Sequence, residues 1–104
     1  MNQYGRAHYD LDELKKLLSN EKTRRITHVA QKGAVLLGYI TDDDIVERCL
    51  ILQKREIYKT MPSHHNPKLW QDVYKTADKT QKLYIKLQKN EANAIVISFK
   101  TNDD

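Results

Sequence analysis

The chain divides into two hydrophobic rhythms. From Asp10 to about Leu52, apolar residues recur every three to four positions; beyond Ile57 they alternate with polar ones. Leu11, Leu14, Leu17 and Leu18 form one apolar stripe. Asp10-Leu11-Asp12-Glu13 ahead of it reads as an Asp-x-x-Glu capping box, and its acids suit a helix dipole. Ser19-Asn20 ends this first helix. A second helix starts after Thr27, with Val29, Ala30 and Leu37 on its buried face and Gly38 as its stop. Gly33 weakens its interior. Thr41-Asp42-Asp43-Asp44 opens a third helix, which directs Ile45, Val46, Cys49 and Leu50 or Leu52 at the core.

The second half predicts strands. Leu69-Trp70-Gln71-Asp72-Val73-Tyr74 is rich in strand formers. Leu83, Ile85 and Leu87 alternate with Tyr84, Lys86 and Gln88, and Ile95, Ile97 and Phe99 alternate with Ala94, Val96, Ser98 and Lys100. Lys89 to Asn93 is then a hairpin loop. Pro62 and Pro67 flank a polar loop, Ser63-His64-His65-Asn66, between the two halves. Helices first and a mainly antiparallel sheet second is an α+β architecture. No repeat or linker divides the 104 residues, and residues 1–104 are expected to form a single domain.

Pairing Gln88 with Ala94 across that hairpin sets Tyr84 opposite Ser98 and Lys86 opposite Val96. Tyr84, Lys86, Ser98 and Lys100 then share the face turned away from Leu83, Ile85, Ile95, Ile97 and Phe99. Tyr84 and Lys100 become diagonal neighbours, roughly 7–8 Å apart at the backbone. A register slip of one residue would part them.

Charge sharpens this picture. The net charge is +4, and its distribution is uneven. Residues 1–52 hold eight Lys/Arg against eight Asp/Glu, whereas residues 53–104 hold ten against six, two of the six being the terminal Asp103 and Asp104. A basic sheet half attracts polyanions, most often nucleic acid. The composition, 39% hydrophobic and 31% charged, excludes a disordered tail, and no apolar run approaches a bilayer span. The polar start Met1 to Arg6 lacks a secretory h-region, and the lone Cys49 fits a reducing cytoplasm, which is the expected location.

Lysines meet phosphates, and a tyrosine ring stacks on a base. RNA also carries its own nucleophile, the 2′-OH. Cleaving it requires removal of that proton, stabilisation of charge at phosphorus and protonation of the leaving 5′-oxygen. Lysine suits the second task directly and the first only where burial or neighbouring cations lower its pKa. His64 and His65 are the rival acid and base. No third or fourth ligand stands at zinc spacing from them, so neither a metal nor another cofactor is expected. Cys49 reads as a buried small hydrophobe, and Trp70 as a core residue or a stacking platform.

Ile57-Tyr58-Lys59-Thr60-Met61, Leu69-Trp70-Gln71-Asp72-Val73-Tyr74, Leu83-Tyr84-Ile85-Lys86 and Ile95-Val96-Ile97-Ser98-Phe99-Lys100, in that order and near family spacing, resemble the MqsR toxins. These are mRNA interferases of type II toxin–antitoxin systems with a RelE-like fold. The likeness is strong from Tyr58 to Lys100 and rests mainly on helix order before that. It implies a ribosome-independent endoribonuclease that cuts mRNA at short GC-starting sites such as GCU. It implies Lys59, Gln71, Tyr84 and Lys100 as active-site residues. Lys59 and Lys100 would hold the phosphate, Tyr84 would stack or transfer a proton, and Gln71 would orient the 2′-OH or read a base edge. It implies as partner a neighbouring MqsA-like antitoxin, which carries any zinc itself. Asn66-Pro67 stands where relatives often have Asp-His, the hairpin is about one residue longer, and a tail from Thr101 to Asp104 follows. These differences bear on site preference more than on activity. The alternative is a non-catalytic module that binds nucleic acid or an antitoxin through the same face.

Overall fold

Each helix begins at a side chain that satisfies its free amides. In the computed structural model, which describes residues 1–102, α1 (Leu11–Leu18) starts where Asp10 accepts a hydrogen bond from the Asp12 amide at 3.0 Å. Asp103 and Asp104 lie outside the described residues. Glu13 does not close the expected capping box; it reaches the Lys89 Nζ at 3.1 Å instead. α2 (His28–Leu36) is capped by the Thr27 hydroxyl, and α3 (Asp42–Leu50) by a reciprocal Thr41–Asp44 box. Gly38, at φ +93°, takes the left-handed conformation that follows α2. A 3-10 turn, Lys54–Glu56, leads into the sheet.

Six strands, β1 (Gln3–Tyr4), β2 (Arg24–Ile26), β3 (Ile57–Pro62), β4 (Trp70–Ala77), β5 (Lys82–Asn90) and β6 (Asn93–Thr101), form one sheet in the order β1-β3-β4-β5-β6-β2. Every pairing is antiparallel except that of β2 with β6. The α+β expectation therefore holds. The pattern of the sequence missed β1, β2 and β3. Two or three residues are too few to display alternation, and β3 carries a bulge at Tyr58 that breaks its own.

The helices cover one face. Leu11, Leu14 and Leu18 of α1 and Ile45, Val46 and Cys49 of α3 pack on Tyr74, Leu83, Ile85, Leu87, Val96 and Phe99, all buried. Each fully buried Leu or Phe contributes about 1.5–3 kcal/mol. Burial also pushes the Cys49 thiol up to about 12, which leaves it inert. Asp72 is buried on the same face. It accepts hydrogen bonds from the His8 and Tyr9 amides at 2.9–3.1 Å and straps the N-terminal segment across the sheet. Trp70 is half-buried under that strap, its ring stacked 5.6 Å from His8, rather than in the core.

Two expectations need correction. The hairpin loop is Glu91-Ala92 alone, because Asn90 pairs with Asn93, and Glu91 adopts φ +53° to make the turn. That shorter loop shifts the pairing by one residue and the extra residue Ile97 by one more, so Tyr84 lies directly opposite Lys100 and Lys86 opposite Ser98, two residues from the expected register. The even displacement preserves the shared face. A bulge at Ile97 then reverses the parity of the strand beyond it. Ala94 and Val96, not Ile95 and Ile97, take the core positions.

Val29 is the second correction, since it is exposed. α2 follows β2 along the outer edge of β6, where Thr27 donates from its amide to the Val96 carbonyl and from its hydroxyl to the Ile97 carbonyl. Helix meets backbone there, so its buried strip is narrow and made of small residues, Ala30, Gly33 and Ala34. A Cβ at Gly33 would stand 2.1 Å from the Phe99 carbonyl oxygen. Helix propensity alone would favour Gly33→Ala by about 1 kcal/mol. The clash with a fixed backbone atom reverses the sign, and the variant should lose about 1–3 kcal/mol in urea or thermal unfolding.

Candidate active site

The face away from the helices carries the basic residues, and β-pleating decides which ones. β4 presents Gln71, Val73 and Lys75; β5 presents Tyr84, Lys86 and Gln88 opposite them. β6 presents Lys100 opposite Tyr84 and Ser98 opposite Lys86, and β3 presents Lys59 opposite Val73. Lys59 and Lys100 are three strand spacings apart, on the order of 14 Å at the backbone. Their long side chains close that gap. Both line one cleft of about 400 Å³ together with Tyr58, Lys75, Tyr84, Thr101 and Asn102. Among the described residues, no carboxylate lines it.

Rings organise the ammonium groups. Lys75 Nζ sits 3.7 Å from the Tyr58 ring centre and Lys59 Nζ 5.5 Å from the same ring. Tyr4 stands 5.8 Å from Lys59 Nζ, and its ring meets Tyr58 edge-on at 5.4 Å. Lys100 Nζ lies 4.8 Å from the centre of the Tyr84 ring. Cation–π contacts of this kind offset part of the repulsion between like charges. The bulge at Tyr58 sets this ring beside Lys59 and Lys75, and no sequence signal marks it.

Three of the four expected residues, Lys59, Tyr84 and Lys100, thus converge in the cleft. Gln71 shares their face but lines a neighbouring groove. It is buried there and donates from Nε2 to Gln88 Oε1 at 2.8 Å. His64 and His65 are exposed in the loop before β4, and His65 borders the groove rather than the cleft.

Lys86 stands in one of the family motifs but was not among the expected active-site residues. Burial lowers its pKa first, and the Lys100 and Lys59 charges lower it further. Strand parity had already put Lys86 among the face residues; what it lacked was the position of β3, which brings Lys59 near. The Tyr84 hydroxyl moves the other way. Burial raises its pKa and Tyr58 adds to that, while Lys75 opposes it, so at neutral pH the phenol keeps its proton. The site therefore sets a lysine eased toward its neutral form beside a phenol held in its acid form.

The α+β domain thus has one helix-covered face and one face rich in lysine and tyrosine. Residues 6–101 match the family described as motility quorum-sensing regulator, toxin of MqsA. The chain belongs to this MqsR toxin family, and is a toxin of a toxin–antitoxin system with an antitoxin as partner. No curated protein matches the chain by sequence. Among the described residues, no helix is long and apolar enough to cross a membrane.

The cleft makes one measurement specific. In a carbon-detected titration of the lysine Cε signals, Lys86 should titrate below the ordinary lysine value of 10.5. Lys100→Gln should move it back up, because removing a like charge relieves the charged form. An unchanged Lys86 midpoint in that variant would contradict the coupling.

Proposed function

We propose that this toxin is a ribosome-independent, metal-independent endoribonuclease that cuts mRNA at short GC-starting sites and so halts translation. The convergence of Lys59, Tyr84 and Lys100 on one lysine-rich cleft carries this reading. Three chemical tasks find residues in the cleft or on the same face beside it, where Lys86 stands two residues along β5 from Tyr84. Lys86 takes the proton of the 2′-OH. The 2′-oxygen bonds to phosphorus as the bond from phosphorus to the 5′-oxygen breaks. Lys59 and Lys100 hold the charge that builds on the equatorial oxygens. Tyr84 gives its proton to the leaving 5′-oxygen, and the products are a 2′,3′-cyclic phosphate and a 5′-hydroxyl. Proton donor and acceptor balance, and the next turnover begins after both exchange with water.

Lysine meets the requirement for a base because its charged form is penalised here. Arginine in its place would keep the charge and lose the base. The four lysines on this face also suit the single-stranded backbone of mRNA, whose binding should weaken with salt. The reading leaves Gln71 outside the proton transfers.

Purified protein incubated with defined RNA should cleave it equally well in EDTA. Lys59→Ala and Lys100→Ala should each lower the rate about a hundredfold, which corresponds to ~3 kcal/mol of transition-state stabilisation. The rate should rise with pH through an apparent pKa below 10.5, and Lys86→Arg should abolish that limb. Cleavage lost in EDTA, or surviving both alanine variants, refutes the mechanism. RNA that is bound in a salt-dependent way but never cut points to a binding module instead.

A further inference from the structure

A second concavity adjoins the lysine cleft on the same sheet face. It is a groove of about 880 Å³, within the range of small-molecule sites. Leu69, Ile95 and Ile97 give it apolar surface, Arg25 stands at its rim, and among the described residues no carboxylate lines it. Ile95 and Ile97 are there because the β6 bulge turns them out of the core. Gln88 lies four residues along β5 from Tyr84, about 13 Å at strand rise, a span that an extended dinucleotide crosses. Lys86 lies between the two. A single strand with its phosphate in the cleft would therefore lay a neighbouring base in the groove.

The groove has a polar floor of one kind. Gln71 Nε2 donates to Gln88 Oε1 at 2.8 Å, and Gln88 Nε2 donates in turn to Asn90 Oδ1. Gln71 and Gln88 are only 6% and 5% exposed, so this chain of amides is built into the sheet. An unrestrained glutamine turns its amide end for end and offers donor and acceptor in either order. Here one Gln71 N–H is engaged by Gln88, so the Gln71 amide can turn over only if Gln88 and Asn90 turn with it. An amide held that way distinguishes base edges that a rotating one reads alike.

We propose that this groove is a nucleobase subsite for a base flanking the scissile phosphate, with Gln71 as the reading residue and Gln88 as the positioning residue that locks its amide. The inference rests on the RNA reading above and names the recognition device of that same surface. It assigns base selectivity to Gln88, which lies outside the motif residues.

The test measures selectivity without cleavage. Fluorescence anisotropy would compare short 2′-fluoro oligoribonucleotides, which lack the attacking hydroxyl, differing at one base at a time. The wild-type protein should prefer one base at one position by tenfold or more. Gln88→Leu, similar in size, should bring that ratio below threefold while the protein stays folded by circular dichroism and still binds. Gln88→Glu keeps an oxygen to accept from Gln71 Nε2. It should weaken binding to all oligonucleotides alike and retain the ratio. Equal affinities for all bases in the wild type, an unchanged ratio in Gln88→Leu, or a lost ratio in Gln88→Glu overturns the proposal. Cleavage of ordinary RNA is scored separately. Base preference without cleavage removes the nuclease reading alone, and cleavage without base preference removes the subsite alone.

Discussion

Like charges gathered in one place must be held there. Lys59, Lys75, Lys86 and Lys100 share one face of a four-strand segment, and left to themselves their ammonium groups would separate. The opposite face prevents this. Leu83, Ile85, Leu87, Val96 and Phe99 alternate with the face residues and are buried under α1 and α3. Any movement that spread the lysines would have to expose these side chains or break the ladder. Burial on one side is thus the source of preorganisation on the other. Electrostatic catalysis depends on such fixed charge, which needs no reorganisation when the substrate arrives.

Two bulges adapt this regular framework. The one at Tyr58 slips a ring between Lys59 and Lys75; the one at Ile97 reverses the parity of β6 and supplies apolar surface to the groove. Extra residues of this kind re-aim side chains without disturbing the strands around them. Cleft and groove consequently differ in chemistry, lysine-rich in one and largely amide, hydroxyl and hydrocarbon with Arg25 at the rim in the other.

The helices were legible because their signals are local. Asp10, Thr27, Thr41 and Gly38 each act within a few residues of their own position. The common face of Tyr84, Lys86, Ser98 and Lys100 was expected too, and it holds because the one-residue error in the loop and the unforeseen bulge at Ile97 add to an even shift. What escaped depends on distant pairing. β1 and β2 exist only because β3 and β6 accept them. Gly33 reads as a weak point of a helix until Phe99 is placed against it. Tyr84, Lys86 and Lys100 came to notice through strand parity and Lys59 through family motifs; that Lys86 is eased toward its neutral form emerged only from its burial and the charges around it. Gln71 was noticed with them, yet its partner Gln88 appears only once β4 and β5 are in register.

The rims of the sheet are guarded. β1 offers two residues at one side and β2 three at the other, and α2 occupies the length of β6 that β2 leaves. Among the described residues, little backbone is left for a foreign strand to zip onto. Copies of the toxin crowded together in a cell have scant opportunity to aggregate edge to edge.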